Sequence, residues 1–233
     1  MRSTRTLAGV ALAGTIALGA AACGSSSSTG TSSSSSPSSS AAAAPSSASA
    51  SASASPTPAA EIASLKGVDT AVQVDAKTLA ALSSLKVMVT PTGKAKATTT
   101  YKPATFDFPI TGGNVKVFAK GEVDPYVQGI IHHDGSGLMF AAGGKTLTVE
   151  NFDVDPGTSM LMASVKGSSG AKIPLFFLDG SGLQITKDAA GHAKLDGTKV
   201  ELTAESAAAL NKTFSVTAFQ PRMLIGIAHI TAG

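Results

Sequence analysis

The chain has one cysteine, Cys23, and no tryptophan among its 233 residues. A single cysteine cannot form a disulfide within the chain, so a folded domain must be held by its hydrophobic core alone. No acidic residue precedes Glu61, and the only cations before it are Arg2 and Arg5. Of the 18 cations these two lie at the N-terminus, which leaves 16 cations against 15 acids. This near balance removes the electrostatic basis for nucleic-acid binding.

The first 22 residues have the pattern of a secretory signal peptide. Two arginines in the first five residues are followed by an apolar run from Leu7 to Leu18, and small residues from Gly19 to Ala22 close the segment. The apolar run is too short to span a bilayer permanently. The sequence therefore predicts an exported protein whose signal peptide covers residues 1–22.

Cys23 directly follows these small residues and resembles the acylated cysteine of a bacterial lipobox. Position −3 is Ala20, where a lipobox usually has leucine, so an ordinary cleavage site with an incidental cysteine is the alternative. The cysteine is unique and a polar segment begins right behind it, which favours the lipobox. Acyl chains on Cys23 would anchor the protein to the extracytoplasmic face of the cell membrane, in the cell envelope.

Residues 23–58 are predicted to form a flexible tether. From Gly24 to Pro58 the chain is nearly all Ser, Ala, Thr, Gly and Pro, with no charged and no aromatic residue. Such a segment cannot bury enough apolar surface to offset the entropy that ordering would cost.

Residues 59–233 are predicted to form one β-rich domain. Short apolar or alternating runs recur about every ten residues, and glycine-containing turns such as Asp134–Gly137 and Asp179–Gly182 separate them. This cadence is typical of an all-β fold, either a β-sandwich or an open barrel. The apolar phase slips by one residue after Val149, which indicates a bulge near Asn151. The run from Ile173 to Leu178 is apolar on both faces, so we expect it to be deeply buried, with Pro174 at a strand start or edge.

Two short helices interrupt the strands, and their surroundings match. Asp75 and Thr203 are placed as N-caps, each after a short apolar strand end. Another apolar run follows each helix, near Val87 and near Val216. We therefore predict a repeated strand–helix–strand unit over residues 72–87 and 200–216, although alanine-rich segments can also match by chance.

The histidines do not group as metal ligands. His132 and His133 are adjacent, and neighbouring residues of a strand point to opposite faces, so we expect no shared metal ion. Asp134 begins the predicted turn behind them. His229 is expected to be a strand residue at a surface or an edge.

The sequence also contains no group of residues with the spacing of a known catalytic motif. It contains no Gly-x-Ser-x-Gly, no His-Glu-x-x-His and no phosphate-binding glycine loop. The first hypothesis is therefore a surface-anchored, non-catalytic binding or structural domain without a cofactor, whose partner is an unknown protein, glycan or small molecule. Binding of haem or another small hydrophobic ligand is the alternative, and a cell-envelope hydrolase is the third possibility.

The haem alternative comes from a resemblance. The stretch Gly129–Phe140, with its His-His-Asp-Gly-Ser-Gly segment, precedes Lys145–Val149, Leu161–Val165, Ile173–Leu178 and Val200–Ala204. This order of strands and turns is similar to the haem-transport-associated domain of actinobacterial surface proteins, a β-rich module that binds haem through a tyrosine. The resemblance transfers no ligand residue, since the context of neither tyrosine, Tyr101 nor Tyr126, matches that ligand. If the domain binds a ligand of this kind, the candidate residues in this chain are Tyr126, His132 and His229.

Replacing Cys23 by serine is expected to release the protein into the medium or to leave it unprocessed, because the acyl acceptor is lost. Membrane fractionation with labelled fatty acid measures the change. Ser25→Ala in the same segment is the control and should stay on the membrane. A Cys23→Ser protein that is processed normally and remains membrane-bound would contradict the lipoprotein prediction.

Overall fold

The alternating strands and glycine-containing turns build one curled antiparallel sheet. A computed structural model describes residues 55–233, so the signal peptide, Cys23 and the tether up to residue 54 lie outside the described residues. The strands in chain order are β1 (Ala60–Ile62), β2 (Val68–Val74), β3 (Met88–Gly93), β4 (Lys96–Thr98), β5 (Thr105–Pro109), β6 (Gly112–Val117), β7 (Val127–Ala142), β8 (Lys145–Asp155), β9 (Met160–Val165), β10 (Ile173–Asp179), β11 (Gln184–Lys187), β12 (Ala193–Leu202) and β13 (Leu224–Ala232). The helices are α1 (Ala76–Ser84) and α2 (Ala204–Phe214).

The strand order is β1-β6-β7-β8-β9-β10-β12-β13-β2-β5-β4, with β11 paired to β12 and β3 paired to β7. Every pair of these strands is antiparallel. The sheet curls until β5 reaches the face of β7, where Phe108 contacts His133. The predicted all-β fold with two short helices is confirmed, in the form of an open half-barrel.

Strand β7 differs from the prediction. The sequence predicts a turn at residues 134–137, but β7, which is 16 residues long, continues through them. Its pairing with β8 shifts register between His133 and Gly137, so the extra residues form a bulge. Gly135 accommodates the bulge because it has φ +77°, a conformation that glycine adopts without steric cost. The bulge predicted near Asn151 is confirmed, since Asn151 has φ +56° and the β8–β9 register shifts beside it.

Strand β10 is a central strand with two different faces. Pro174 is its second residue and precedes the pairing with β12, which begins at Phe176. Phe176 points into the core and is 7% exposed. Phe177 is half-buried, and the guanidinium of Arg222 lies 3.7 Å from its ring centroid. The apolar run is therefore buried on one face and covered by a cation on the other.

Both helices begin where predicted. The Asp75 carboxylate accepts hydrogen bonds from the backbone N–H groups of Lys77 and Thr78, at 2.8 and 3.1 Å. Thr203 and Ser206 form a reciprocal capping box at the start of α2. These bonds satisfy N–H groups that have no partner within a helix.

The segment after α2 differs from the predicted repeat. Phe214 is the last residue of α2, Ser215 is a left-handed cap, and the next strand begins only at Leu224. The strand expected around Val216 is therefore absent from the structure. After α1, by contrast, Leu85 and Lys86 form a turn and β3 begins one residue after Val87, so the first unit is strand–helix–strand. What the two units share is a strand that leads directly into a capped helix.

The two helices cover one end of the half-barrel. Strands β2 and β12 lie on either side of β13 and run in the same direction, so α1 and α2 emerge at the same end. Beneath them is a cavity of about 80 Å³ lined by side chains that include Leu82, Phe140, Leu175, Leu202 and Leu210. Within residues 55–233 neither helix is long and apolar enough to cross a bilayer.

Phe176→Ala should lower the free energy of unfolding by about 3–5 kcal/mol, because a buried aromatic ring leaves a cavity. Phe177→Ala is the matched control on the same strand, and it should cost less, about 1–2 kcal/mol, because its ring is half-buried. Urea titration of both variants measures the difference. Equal losses, or a loss below about 1 kcal/mol for Phe176→Ala, would contradict the burial of this face.

Candidate functional site

A cleft of about 350 Å³ lies at the end of the half-barrel opposite the helices. Strand β12 shows this arrangement, since Leu195 near its start lines the cleft and Leu202 at its end lines the cavity beneath the helices. The cleft is lined by Asp124, Pro125, Tyr126, Val127, Ile131, Val154, Pro156, Ser159, Phe177, Leu178, Asp179, Gly180, Ser181, Leu183, Leu195, Thr198 and Ile230.

The floor of the cleft is apolar and its mouth is polar. The buried floor consists of inward-facing strand residues, namely Val127, Ile131, Val154, Leu178, Leu195 and Ile230. Asp124 and Ser181 are exposed at the mouth, and Ser159 and Asp179 are partly buried there. An apolar floor with a few polar groups at the rim is the usual chemistry of a small-molecule site.

Asp179 is held as a carboxylate. The Ser181 N–H donates to one of its oxygens at 2.9 Å, and the Lys199 ammonium lies 3.0 Å from the other. The Ser181 hydrogen bonds and then the Lys199 contact lower the pKa of Asp179 to about 2. Asp179 therefore stays ionised at the mouth of the cleft at every physiological pH.

Tyr126, a candidate from the sequence, lines the cleft. The Lys120 ammonium lies 5.4 Å from the centroid of its ring, a cation–π geometry. Lys120 itself is not among the residues that line the cleft, and neither is any histidine. Tyr126 therefore lies beside the apolar floor, and neither of the other two candidate residues, His132 and His229, lines the cleft with it.

His132 lies elsewhere, on the outer face of β7. Its Nδ1 is 2.7 Å from one carboxylate oxygen of Asp153, and the Lys172 ammonium contacts the other oxygen at 2.5 Å. Although partial burial opposes it, the hydrogen bonds from Lys172 and His132 lower the pKa of Asp153. All three side chains of this surface network therefore have partners.

His133 points to the opposite face, as predicted, and lies in the core. Its Nδ1 is 3.0 Å from the Pro109 carbonyl oxygen, so Nδ1 carries the proton and donates. Its Nε2, 3.2 Å from the Thr70 hydroxyl, is then left to accept. Burial lowers the pKa of His133, and the opposing backbone hydrogen bonds and the charge of Asp153 do not offset the loss of water. The ring is therefore neutral and joins β7 to both β5 and β2.

His133 also lies directly behind the cleft. It lines a cavity of about 40 Å³ in the middle of the half-barrel. Four residues line both this cavity and the cleft, namely Val154, Leu178, Thr198 and Ile230. A displacement of His133 is therefore expected to change the shape of the cleft floor.

His229 is a strand residue on the outer face of the sheet, the first of the two expected positions, and it is not at an edge. It lies on β13, between β12 and β2, and Tyr101 stacks on its ring at a centroid distance of 3.9 Å and an interplanar angle of 10°. Its Nδ1 is 3.0 Å from the Asp196 carboxylate, and its Nε2 is buried without a hydrogen-bond partner among the described residues.

Sequence reasoning missed Tyr101, because its contact depends on a loop that folds across the outer face of the sheet. The Tyr101 N–H donates to the Thr105 hydroxyl at 2.8 Å, and that hydroxyl donates back to the Tyr101 carbonyl at 2.6 Å. The Gln73 amide donates to the Lys102 carbonyl at 2.5 Å. No motif in the sequence marks the long-range contact of this loop with His229.

The structure does not bring the candidates together at one site. Tyr126 lines the cleft, His132 binds Asp153, and His229 lies under Tyr101. Among residues 55–233, no three His, Cys, Asp or Glu side chains are grouped so that they could hold a metal ion.

Comparison with known proteins found one similar structure. No family model and no curated protein matches the sequence. The C-terminal domain of HtaA from Corynebacterium glutamicum is similar in structure, with a TM-score of 0.48 and 16% sequence identity, and the match covers 72% of this chain and 97% of that chain. No residue of this chain takes a role from this likeness.

Acid should weaken the domain through His133. An unfolded histidine has a pKa of about 6.5, whereas that of folded His133 is lower, so the unfolded state takes up the proton first. Stability should be full above the unfolded pKa and should fall as the pH drops below about 6.5. Urea titrations from pH 5 to pH 8 measure this dependence.

His133→Gln should reduce the acid sensitivity, because the amide can donate to Pro109 and accept from Thr70 but has no proton to gain. His192→Gln is the control, since its partly exposed ring pairs with Asp188 near the surface. A wild-type pH dependence that survives in His133→Gln would show that His133 is not the group responsible.

Proposed function

We propose that this chain is a lipoprotein of the cell envelope whose β-rich domain binds a small, largely apolar ligand and catalyses no reaction. The cleft is the observation that carries this proposal. Its volume of about 350 Å³ falls in the range of about 300–1,000 Å³ that is usual for small-molecule sites. The ligand would enter with its apolar part against Ile131, Leu195 and Ile230 and leave its polar part at the mouth.

The chemistry of the cleft supports binding over catalysis. Its titratable lining side chains are Asp124, Tyr126 and Asp179. Asp179 is engaged by Ser181 and Lys199 and, with its pKa at about 2, it is a poor general base near neutral pH. The serines at the mouth have no histidine beside them among the lining residues, so the nucleophile and base of a hydrolase do not meet there.

Haem fits neither place where a tyrosine is found. In the cleft, Tyr126 has no histidine beside it, and the carboxylates of Asp124 and Asp179 would face the two carboxylates of haem. On the outer face, Tyr101 and His229 contact each other, but neither residue lines the cleft or the two interior cavities. The residues present therefore support a different apolar ligand.

The tether and the anchor complete the proposal. Acylation of Cys23 would hold the protein on the membrane, and about 35 residues of uncharged linker would let the domain move relative to the surface. A domain displayed in this way can collect or present a ligand in the envelope.

N-phenyl-1-naphthylamine, a neutral apolar fluorophore, should bind the domain with one saturable site. The chain has no tryptophan, so little protein emission interferes. Leu183→Asp should weaken this binding at least about tenfold, because it places a charge against the apolar lining. Ile185→Asp is the matched control, since Ile185 is 37% exposed on the same segment and does not line the cleft.

Ser181→Tyr is a second variant that fills the mouth without adding charge, and it should weaken binding while the melting temperature stays within a few degrees. Binding that is the same in wild type, Leu183→Asp and Ser181→Tyr would show that the fluorophore does not occupy the cleft. Absence of saturable binding to the wild type would refute the proposed function.

A further inference from the structure

Three empty spaces inside the half-barrel lie in one row. Behind the cleft is the cavity of about 40 Å³ beside His133, here called the middle cavity, and beyond it is the cavity of about 80 Å³ beneath the helices, here called the helix-end cavity. Along β12, Leu195 lines the cleft, Val200 lines the middle cavity and Leu202 lines the helix-end cavity. Thr198 lines both the cleft and the middle cavity. One strand therefore passes all three spaces in order.

The two strands that flank β12 repeat this order. On β13, Ile230 lines the cleft and the middle cavity, Ala228 lines the middle cavity, and Ile225 lines the helix-end cavity. On β10, Leu178 lines the cleft and the middle cavity, and Phe176 lines the middle and helix-end cavities. The spaces therefore adjoin through shared side chains, with Leu178 and Ile230 at one boundary and Phe176 at the other.

The row is long, and behind the cleft it is narrow. Leu202 comes seven residues after Leu195, which corresponds to about 23 Å of strand at about 3.3 Å per residue. In the wall of the middle cavity the Thr70 hydroxyl and the His133 ring are already hydrogen-bonded to each other. A space of this form accommodates an extended alkyl chain better than a compact ring system.

The mouth of the cleft carries charges of both signs. The Lys199 ammonium pairs with the Asp179 carboxylate at 3.0 Å. The Arg222 guanidinium pairs with Glu201 and lies over the ring of Phe177, which lines the cleft. Because these charges are paired with each other, we expect the shape of the apolar part of the ligand to determine specificity.

We infer that the ligand carries an unbranched alkyl chain, whose end passes Leu178 and Ile230 into the middle cavity and points toward the helix-end cavity. This inference rests on the proposed function, because it names the class of ligand for the same cleft. Entry of the chain requires these two side chains to rotate, and there is empty volume on both sides of them. The chain would then fill space that no side chain occupies, so each buried methylene gains new dispersion contacts.

Octyl, decyl and dodecyl β-glucosides test the inference, because they share an uncharged head group and differ only in chain length. Each is titrated below its micelle concentration against N-phenyl-1-naphthylamine bound to the domain, and the displacement gives its dissociation constant. For the wild type this constant should fall about three- to fourfold with each added methylene up to the dodecyl chain, because the longer chains reach the middle cavity.

Ala228→Val should interrupt this series, because its added methyl groups occupy the middle cavity without adding charge. The dissociation constant of octyl glucoside should stay within about threefold of the wild-type value, whereas that of dodecyl glucoside should rise at least about tenfold. Val200→Ile is a second variant that narrows the same cavity by one methylene, and it should also weaken dodecyl binding selectively.

Ala163→Val is the matched control, since Ala163 is fully buried and lines none of the three spaces. It should leave the whole chain-length series as in the wild type. Thermal unfolding followed by circular dichroism identifies the variants that are folded at the temperature of the titration.

Unchanged dodecyl binding in Ala228→Val and Val200→Ile would overturn the inference, and so would an equal loss for octyl and dodecyl glucosides, since either result keeps the chain end within the cleft. A loss in Ala163→Val equal to that in Ala228→Val would overturn it as well. In these cases the fluorophore still binds and the apolar-ligand proposal stands. Failure of the fluorophore itself to bind the wild-type domain would instead refute the proposed function.

Discussion

Two hydrogen bonds of one buried histidine join the sides of the curled sheet. His133 donates from Nδ1 to the carbonyl oxygen of Pro109 on β5 and accepts at Nε2 from the Thr70 hydroxyl on β2. The Pro109 carbonyl can only accept, so Nδ1 carries the proton, and burial disfavours a second proton on Nε2. The ring is 2% exposed, so losing either partner would leave a polar group buried and unsatisfied. The curl is therefore specified by a polar contact as well as by the apolar core.

The empty space inside the half-barrel is distributed unequally. The helices and large apolar side chains nearly fill one end and leave about 80 Å³. The region of His133 leaves about 40 Å³, and the open end leaves about 350 Å³ with charged groups at its mouth. Because the core at the centre shares Val154, Leu178, Thr198 and Ile230 with the cleft floor, rigidity there should preorganise the cleft for a ligand.

Local features were predictable from sequence, whereas the site was not. The caps at Asp75 and Thr203 and the bulge at Asn151 depend on neighbouring residues, and so does the opposite orientation of His132 and His133. The continuation of β7 through its predicted turn depends instead on pairing with β3 and β8, since tertiary pairing overrode the local glycine signal. The cleft depends on strands that are distant in sequence, and periodicity does not show which of them meet. For the same reason the partner of His229, Tyr101, had no signal in the sequence.

The protonation state of the His133 ring tests this central role most directly. Nitrogen NMR of the ¹⁵N-labelled domain distinguishes the Nδ1–H tautomer from the Nε2–H tautomer and from the imidazolium. The structure requires the neutral Nδ1–H form at pH 7, with that signal still present at pH 6, where an ordinary histidine with a pKa of about 6.5 is largely protonated. An Nε2–H ring at pH 7, or a ring that titrates at about 6.5 in the folded domain, would contradict the contact on which the curl depends.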